Sequence, residues 1–370
     1  MFVRKNVLPE IRDSTPKRLL ISIPNWVGDV VMATPALRAI RSTFASTRIV
    51  YLLRPYVADV LAGSALGDAN LFWSAGGSPL RVVSLANKIR AERFDAAILL
   101  TNSFKSALVV SLAGVPRRIG YARDRRSWLL TDRLIPARDD DGRFIPIPAI
   151  DYYNDLARRL GCNPDRRMTL STTPDDESAI DRRLGSTDSV RPLVVLNPGA
   201  NYGSAKCWPA EKYARLADEL TLRYGARVVA SLGPKERHIA DAMMATTRQP
   251  IEVFMDPPLG LGPLKALIRR SQLLITNDTG PRHFAPAFGV PVITIFGSSD
   301  PAWTVTYFEQ ERNIMLDLDC QPCMARTCPL GHHNCMKLLE PDMVLAAADE
   351  ILAGWRRGGS VAPLQQVVAR

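Results

Sequence analysis

Residues 273–283 read LLITNDTGPRH, an apolar run that passes directly into small and polar residues. The first four residues have the length and composition of a buried strand, and the pattern over 279–288 predicts a helix. A strand followed at once by a helix is the building unit of parallel-sheet proteins, whose ligands bind beyond the carboxyl ends of the strands. This stretch therefore predicts the fold class and the region where its chemistry lies.

The same alternation of short strands and longer amphipathic helices runs through both halves of the 370-residue chain. In the first half it predicts strands over 18–23, 48–53 and 95–100, with a helix over 29–44 that Pro35 must kink or reset. In the second half it predicts strands over 193–197, 227–232, 273–276 and 292–296 and helices over 210–224, 264–270, 279–288 and 341–355. We therefore expect an α/β protein of two Rossmann-like domains, each with a parallel sheet.

A segment rich in Ser, Thr, Asp and Pro, residues 171–191, separates the two halves, and its composition predicts a helix flanked by linker. Because 370 residues exceed the size of one average domain, we predict a domain boundary at the end of this segment. The N-terminal domain would cover residues 1–190 and the C-terminal domain residues 191–370. Ligands would then bind in a central cleft onto which the carboxyl ends of both sheets open.

The chain is basic, with 47 Lys and Arg against 37 Asp and Glu and a net charge of +10, which favours anionic partners. Much of the excess lies in one stretch of the first half, at Arg117, Arg118, Arg123, Arg125, Arg126 and Arg133. No apolar run has the length of a membrane span or of a signal peptide. We therefore expect a cytoplasmic protein with reduced thiols.

The loop after the first predicted strand carries Asn25, Gly28 and Asp29. Gly28 allows a sharp turn or the close approach of a ligand. Asp29, near the start of the following helix, is a candidate general base that accepts the proton of an attacking hydroxyl. The alternative is an ordinary N-cap, and a helix N-terminus also lowers the basicity of a carboxylate.

The loop after 193–197 is rich in small residues and carries Lys206 just before a helix. Backbone amides together with a lysine are what a diphosphate requires, and a plain surface loop is the alternative. Glu236 follows another predicted strand. A carboxylate at such a position binds ribose hydroxyls in dinucleotide folds, or simply begins a helix.

The loop after 273–276 is the sharpest candidate site in the sequence. Thr279 and Gly280 would present free amides at a helix N-terminus, which is an anion site. His283 lies four positions after Thr279 and would reach the same phosphate from the same helix face, although a buried structural histidine is the alternative. Asp278 is either the helix cap or a ligand to a donor hydroxyl.

Taken together, these motifs resemble glycosyltransferase family 9, the ADP-heptose:lipopolysaccharide heptosyltransferases. The resemblance rests on NWVGD (25–29) with TPAL (34–37), on NPGA (197–200) with KCWP (206–209), and on NDTGPRH (277–283). Their order and spacing agree with the family over residues 18–352. The NWVGD opening and Asn277 are closer to the second heptosyltransferase than to the first. Cys207 is a small departure, because a basic residue often follows the lysine.

The resemblance implies a GT-B fold and an inverting transfer that uses no catalytic metal. It assigns the role of general base to Asp29. It assigns the diphosphate of the donor to Lys206, Thr279, Gly280 and His283. One base and a stabilised leaving group are sufficient for a single in-line displacement.

The resemblance also implies that Asp278 orients the donor near the transferred sugar and that Glu236 contacts the ribose, with Asn25 and Gly28 on the acceptor side. The donor would be ADP-heptose. The acceptor would be the lipid A-core at the inner face of the cytoplasmic membrane, whose phosphates or carboxylates the arginines of residues 117–133 could meet.

Four of the six cysteines lie in one loop of the second half, residues 320–335, at Cys320, Cys323, Cys328 and Cys335. In a cytoplasmic protein such a cluster favours a structural zinc site over disulfides, but the spacing matches no common zinc finger. Similar cysteines in the family imply a structural loop rather than catalysis. Bound zinc, free thiols and a disulfide or redox pair therefore all stay open, and we expect no cofactor for the reaction.

Two other functions compete with sugar transfer. A nucleotide-sugar epimerase or hydrolase on the same scaffold would consume the donor without an acceptor. A nucleic-acid-binding protein would use the basic stretch and a zinc loop, and its binding would depend steeply on salt. We do not expect the latter, because the positive charges are not interleaved with aromatic residues.

Overall fold

A computed structural model describes residues 15–73, 78–185 and 191–353. The chain forms two compact units. The first comprises the residues up to Leu170 together with Ala302–Tyr307, and the second comprises Ser171–Pro301 and the chain from Phe308 onward. Each unit contains one six-stranded sheet in which every pair of neighbouring strands is parallel. The predicted α/β class is therefore confirmed.

The sheet of the first unit has the order β3-β2-β1-β4-β5-β6. Its strands are β1 (Arg18–Ser22), β2 (Arg48–Leu53), β3 (Ala69–Phe72), β4 (Ala96–Leu99), β5 (Arg117–Tyr121) and β6 (Asp132–Leu134). Its helices are α1 (Val27–Met32), α2 (Thr34–Thr43), α3 (Pro55–Leu61), α4 (Pro79–Ala91), α5 (Phe104–Leu112) and α6 (Ala149–Arg158). The helix predicted over 29–44 is divided at Ala33, because Pro35 has no amide hydrogen to continue it.

The sheet of the second unit has the order β12-β11-β10-β7-β8-β9. Its strands are β7 (Leu193–Asn197), β8 (Arg227–Ser231), β9 (Glu252–Phe254), β10 (Leu273–Asn277), β11 (Val292–Ile295) and β12 (Glu311–Ile314). Its helices are α7 (Pro174–Leu184), α8 (Ala210–Tyr224), α9 (Arg237–Thr246), α10 (Leu261–Arg270), α11 (Phe284–Phe288), α12 (Asn334–Lys337) and α13 (Pro341–Ile351). The end of the helix predicted over 341–355 lies outside the described residues.

Helix α7 belongs to the second unit, whereas the predicted boundary at residue 190 assigned it to the first. A capping box between Thr173 and Asp176 begins the helix. Arg270 of α10 then pairs with two of its carboxylates, those of Glu177 and Asp181, at 2.6 Å each. The helix predicted within 171–191 is therefore present, but its charges are complementary to those of α10, so the boundary lies before this helix rather than after it.

The buried cores lie between each sheet and its helices, so the polar loops remain at the sheet edges. In the second unit Trp208 packs edge-on against Tyr213, with ring centroids 4.8 Å apart, and its indole donates to the carbonyl of Leu339 at 2.9 Å. This packing fixes the end of the loop that follows β7. Among the described residues, no helix is long and apolar enough to cross a bilayer.

Three of the six arginines between residues 117 and 133 make contacts within the fold of the first unit. Arg117 pairs with Asp132 at 3.0 Å. Arg118 donates to the carbonyl of Leu129 at 2.7 Å. Arg126 is fully buried and donates to backbone carbonyls at the ends of β4 and β5. Arg126 is therefore not available to an acceptor phosphate, whereas such a contact stays a prediction for the other arginines of the stretch.

We predict that Arg126→Met lowers the free energy of unfolding by about 3 kcal/mol, because the carbonyls of Thr101 and Tyr121 lose their buried donor. The exposed neighbour Arg125 provides the matched control, since Arg125→Met should change stability by less than about 0.5 kcal/mol. Urea unfolding measures both variants. Equal stability of the two would contradict a structural role for Arg126.

Candidate active site

A buried carboxylate stands directly after β10. Asp278 accepts hydrogen bonds from Lys206 at 2.5 Å, from Arg282 at 3.1 Å and from the hydroxyl of Ser299 at 2.6 Å. Burial by itself would raise the pKa of Asp278, but the charges of Lys206 and Arg282 outweigh it and lower that pKa to about 2. Asp278 is therefore an anion that holds a lysine, rather than the simple helix cap of the alternative interpretation.

Arg282 connects Asp278 to the edge of the sheet. Its guanidinium is fully buried, donates to Glu311 on β12 at 2.7 Å and lies 4.8 Å from the ring centroid of Phe296. Glu311 also accepts from the hydroxyl of Thr294 at 3.0 Å. Because both of its acidic partners are buried, Arg282 holds the loop in place and is not exposed to a ligand.

Two asparagines join the loop after β7 to the loop after β10. Asn277 accepts from the amide of Trp208 at 3.3 Å and donates to the carbonyl of Pro198 at 2.5 Å. Asn197 donates to the hydroxyl of Thr279 at 3.1 Å. The structure therefore brings together the two loops that the sequence singled out separately.

The segment Gly280–His283 is a short 3-10 turn that leads into α11, and not the start of one continuous helix over 279–288. Among the described residues, neither the amide of Thr279 nor that of Gly280 donates to a hydrogen-bond acceptor. The hydroxyl of Thr279 accepts a hydrogen bond from Asn197 at 3.1 Å. The free amides that the sequence predicted are therefore present in a tighter turn.

His283 is buried, and its Nδ1 has no hydrogen-bond partner among the described residues. Burial and, after it, the charge of Arg282 lower the pKa of His283 to about 3. The imidazole is therefore neutral at physiological pH. A contact between His283 and a phosphate stays a prediction. In the folded protein it would be made by the neutral imidazole.

Glu236 lies at the start of α9 and reaches the loop after β7. Its carboxylate accepts from the amide of Gly233 at 2.6 Å. A Cβ at Gly199 would lie only 2.0 Å from Oε1 of Glu236, so only glycine permits this approach. The structure thus places Glu236 beside the same loop that carries Lys206.

The cysteine-bearing loop packs onto the loop of Lys206. The amide of Ala205 donates to the carbonyl of Arg326 at 3.1 Å, and Tyr202 donates to the carbonyl of Met324 at 3.0 Å. A Cβ at Gly203 would lie 2.2 Å from that Arg326 carbonyl oxygen. The charged groups of Lys206 and Arg326 lie 4.8 and 5.0 Å from the ring centroid of Tyr202.

Arg326 was not singled out in the sequence, because nothing in its neighbourhood connects it to residues 120 positions earlier. Its side chain is exposed and has no ion pair with a described carboxylate. It therefore adds an available cation next to Lys206.

All six cysteines are free thiols in the structure. Within the described ranges, no group of three or more His, Cys, Asp or Glu side chains is arranged to hold a metal ion. A zinc site at Cys320, Cys323, Cys328 and Cys335 therefore stays a prediction. The hydroxyl of Ser298 also donates to a carbonyl of this loop, that of Ala325, at 2.8 Å.

In the first unit, Asp29 occupies the first turn of α1, while Trp26 is the N-cap residue. The alternative interpretation of Asp29 as an N-cap is therefore wrong. Its Oδ1 accepts a hydrogen bond from the hydroxyl of Tyr153 on α6 at 2.8 Å. Burial raises the pKa of Asp29, and the Tyr153 hydrogen bond opposes that increase. Tyr153 was missed in the sequence because it lies 124 positions away.

The other two predicted residues of this loop have structural surroundings. Asn25 accepts from Arg54 at 3.2 Å, and its carbonyl accepts from the hydroxyl of Tyr56. Gly28 is buried inside α1, next to Asp29. Both residues shape the loop that follows β1, and a contact with an acceptor stays a prediction.

Each of the two α/β units has a parallel sheet, and the second carries unbonded amides beside a lysine at the end of a central strand. Such an arrangement is typical of proteins that bind anionic ligands beyond the ends of their strands. The sequence model of glycosyltransferase family 9 (heptosyltransferase) matches residues 82–334. The chain belongs to this family, as the motifs predicted. The match includes Lys206 and the residues after β10, whereas Asp29 lies before it.

Individual relatives agree with this family. The chain is 26% identical to lipopolysaccharide heptosyltransferase 2 of Salmonella typhimurium over 345 residues, which cover 91% of this chain and 99% of the relative. The solved ADP-heptose LPS heptosyltransferase II of E. coli is similar, with a TM-score of 0.74, 25% identity and coverage of 91% and 98%. A family 9 glycosyltransferase from Veillonella parvula, at 22% identity with coverage of 91% and 97%, has the same fold with a TM-score of 0.76. The predicted GT-B fold and the resemblance to second heptosyltransferases are confirmed.

The low pKa of His283 makes a prediction about acid stability. The unfolded chain protonates this histidine below its ordinary pKa of about 6.5, but the folded protein does so only near 3, so stability falls as the pH drops through this window. Between pH 6.5 and 5 the loss due to His283 should be about 1.5 kcal/mol. Urea unfolding at the two pH values measures it.

His283→Gln should remove this part of the pH dependence, because glutamine does not titrate. The wild-type protein and the variant are compared at the same two pH values. An identical loss of stability in both would show that His283 is not the buried neutral group described above.

Proposed function

We propose that this glycosyltransferase transfers a heptose from ADP-heptose to the inner core of lipopolysaccharide. The observation that carries the proposal is the cluster of Lys206 with the free amides of Thr279 and Gly280 beside the buried Asp278. A diphosphate needs such amides and cations. The names of the similar heptosyltransferases supply the sugar and the acceptor.

The second unit binds the donor in this proposal. Lys206, Thr279, Gly280 and His283 hold the diphosphate, and Glu236 contacts the ribose. Asp278 keeps the ammonium of Lys206 at a fixed position and lies beside the sugar that is transferred. We add Arg326 to this set, because its exposed guanidinium and the ammonium of Lys206 both lie close to the ring of Tyr202. These groups stabilise the negative charge that develops on the leaving ADP.

Asp29 of the first unit removes the proton from the acceptor hydroxyl. The hydroxyl oxygen attacks the anomeric carbon, a new C–O bond forms, and the bond to the diphosphate breaks with its electron pair on ADP. Because there is one displacement, the anomeric configuration inverts. The raised pKa of Asp29 suits a base, and Tyr153 holds the carboxylate in one orientation.

No step of this mechanism is assigned to a metal ion, so we expect transfer to survive a chelator. The acceptor is the lipid A-core at the inner face of the cytoplasmic membrane, and the enzyme acts from the cytoplasm. Asn25 and Gly28 shape the acceptor side, and no nucleic acid takes part.

We predict that Asp29→Asn lowers kcat by at least ~100-fold, the scale of a lost general base. The amide keeps the shape of the carboxylate and can still accept from Tyr153, so stability should change little. Turnover is measured with ADP-heptose and a heptose-bearing core acceptor, with and without EDTA, by mass spectrometry of the acceptor.

ADP affinity is the control for this variant, and it should equal that of the wild type. Near-normal turnover of Asp29→Asn would refute the assignment of the base. Consumption of ADP-heptose without acceptor would instead indicate an epimerase or hydrolase.

The donor site makes a separate prediction about ADP binding. Lys206→Met should weaken ADP binding about 10- to 100-fold, because a charged hydrogen bond to phosphate is lost. Arg326→Met should weaken it about fivefold, since this side chain is more exposed. Calorimetry measures both. The exposed Arg248 of the same unit gives the control Arg248→Met, and an equal effect of all three variants would contradict a local site.

A further inference from the structure

Two exposed aromatic rings, those of Phe104 and Trp128, lie beside each other on the first unit, with the half-buried ring of Trp73 close to Lys105. The Lys105 ammonium lies 5.8 Å from the ring centroid of Trp73, and Phe104, its neighbour in α5, lies 6.2 Å from Trp128 between centroids. Trp128 is 70% exposed and Phe104 is 39% exposed. Large aromatic side chains at this exposure indicate a surface that contacts something other than water.

Helix α4 adds exposed aliphatic side chains to the same unit. Its inward face packs with that of α5 in one core cluster. Its outward face leaves Leu80 80% exposed and Val83 50% exposed. Both helices therefore present apolar residues on the side of the sheet where Phe104 lies.

The charges on these two helices all have one sign. Arg81, Lys88, Arg90 and Lys105 lie on α4 and α5, which contain no Asp or Glu. Asp124, in the loop before Trp128, offsets one of these charges. Apolar and aromatic residues set among cations, without carboxylates on the same helices, are the composition of a surface that binds an anionic lipid interface.

We propose that Leu80, Val83, Phe104 and Trp128, with Arg81 and Lys105, form a docking surface for an anionic phospholipid bilayer. The proposal goes beyond the transfer reaction, because no donor-binding residue belongs to this surface. It has a consequence for the acceptor, however. Phe104 follows β4 and Asp29 follows β1, and these neighbouring parallel strands end at the same edge of the sheet. Docking through this surface therefore brings that edge to the membrane.

Vesicle cosedimentation of the full-length protein tests the docking surface. We expect binding to vesicles of phosphatidylglycerol with phosphatidylcholine and much weaker binding to phosphatidylcholine alone. Trp128→Ser combined with Leu80→Ser should lower the partition coefficient at least tenfold, since apolar burial is lost. Arg81→Gln combined with Lys105→Gln should lower it about 25-fold, or about fivefold for each charge.

The matched control is Leu222→Ser, which removes an exposed leucine from α8 of the second unit and should leave the partition unchanged. ADP affinity, measured on every variant, shows that the fold and the donor site are intact and separates this test from the test of transfer. Equal binding to both vesicle types, or unchanged binding of the variants, would overturn the proposal. A shift from dimer to monomer in Trp128→Ser would also overturn it, because the surface would then bind a second copy of the chain.

Discussion

The second unit depends on the burial of one carboxylate between two cations. An isolated charge at the position of Asp278 would be expensive, so Lys206 and Arg282 must both reach it for the loop to be stable. Lys206 belongs to the loop after β7, and Arg282 is in turn anchored by Glu311 on β12. One buried anion thus fixes segments from three strands of the sheet. The removal of one partner from such a buried pair typically costs about 3–5 kcal/mol.

The same network explains why the site suits an anionic ligand. Asp278 remains ionised because its pKa is lowered, and it holds the ammonium of Lys206 instead of leaving it mobile. Thr279 and Gly280, whose amides are unbonded, follow Asp278 directly in the chain. Asn197 donates a hydrogen bond to the hydroxyl of Thr279. Groups that are positioned before the ligand arrives lose little entropy when they bind it, which makes them effective in stabilising charge on a leaving group.

Asp29 and Asp278 each follow a central strand of a parallel sheet, but their surroundings move their pKa values in opposite directions. Asp278 lies between cations and stays an anion. Burial raises the pKa of Asp29, and the hydrogen bond from the Tyr153 hydroxyl only partly offsets that increase. Two carboxylates whose environments separate their pKa values are suited to separate tasks. In our proposal, one organises the donor site and the other accepts a proton.

The sequence predicted the elements whose signals are local. The apolar strand 273–276 with its polar continuation predicted the parallel sheet and the loop that carries Asp278, and Pro35 divided its helix as expected. Contacts between distant residues were out of reach, as for Tyr153 with Asp29 or Arg326 with Tyr202. Composition was also misleading where polar residues are used inside the fold. Arg126 is buried in an arginine-rich stretch. The polar composition around α7 predicted a domain boundary after this helix, whereas its carboxylates pair with charged residues of α10 in the second unit.

Hydrogen exchange with and without ADP tests the central claim most directly, because it reports on the backbone amides themselves. We expect ADP to protect amides at 197–206 and 277–283, including those of Thr279 and Gly280, and to a lesser extent those around Arg326. Protection confined to other segments, with ADP shown to be bound, would contradict the placement of the diphosphate beside Asp278.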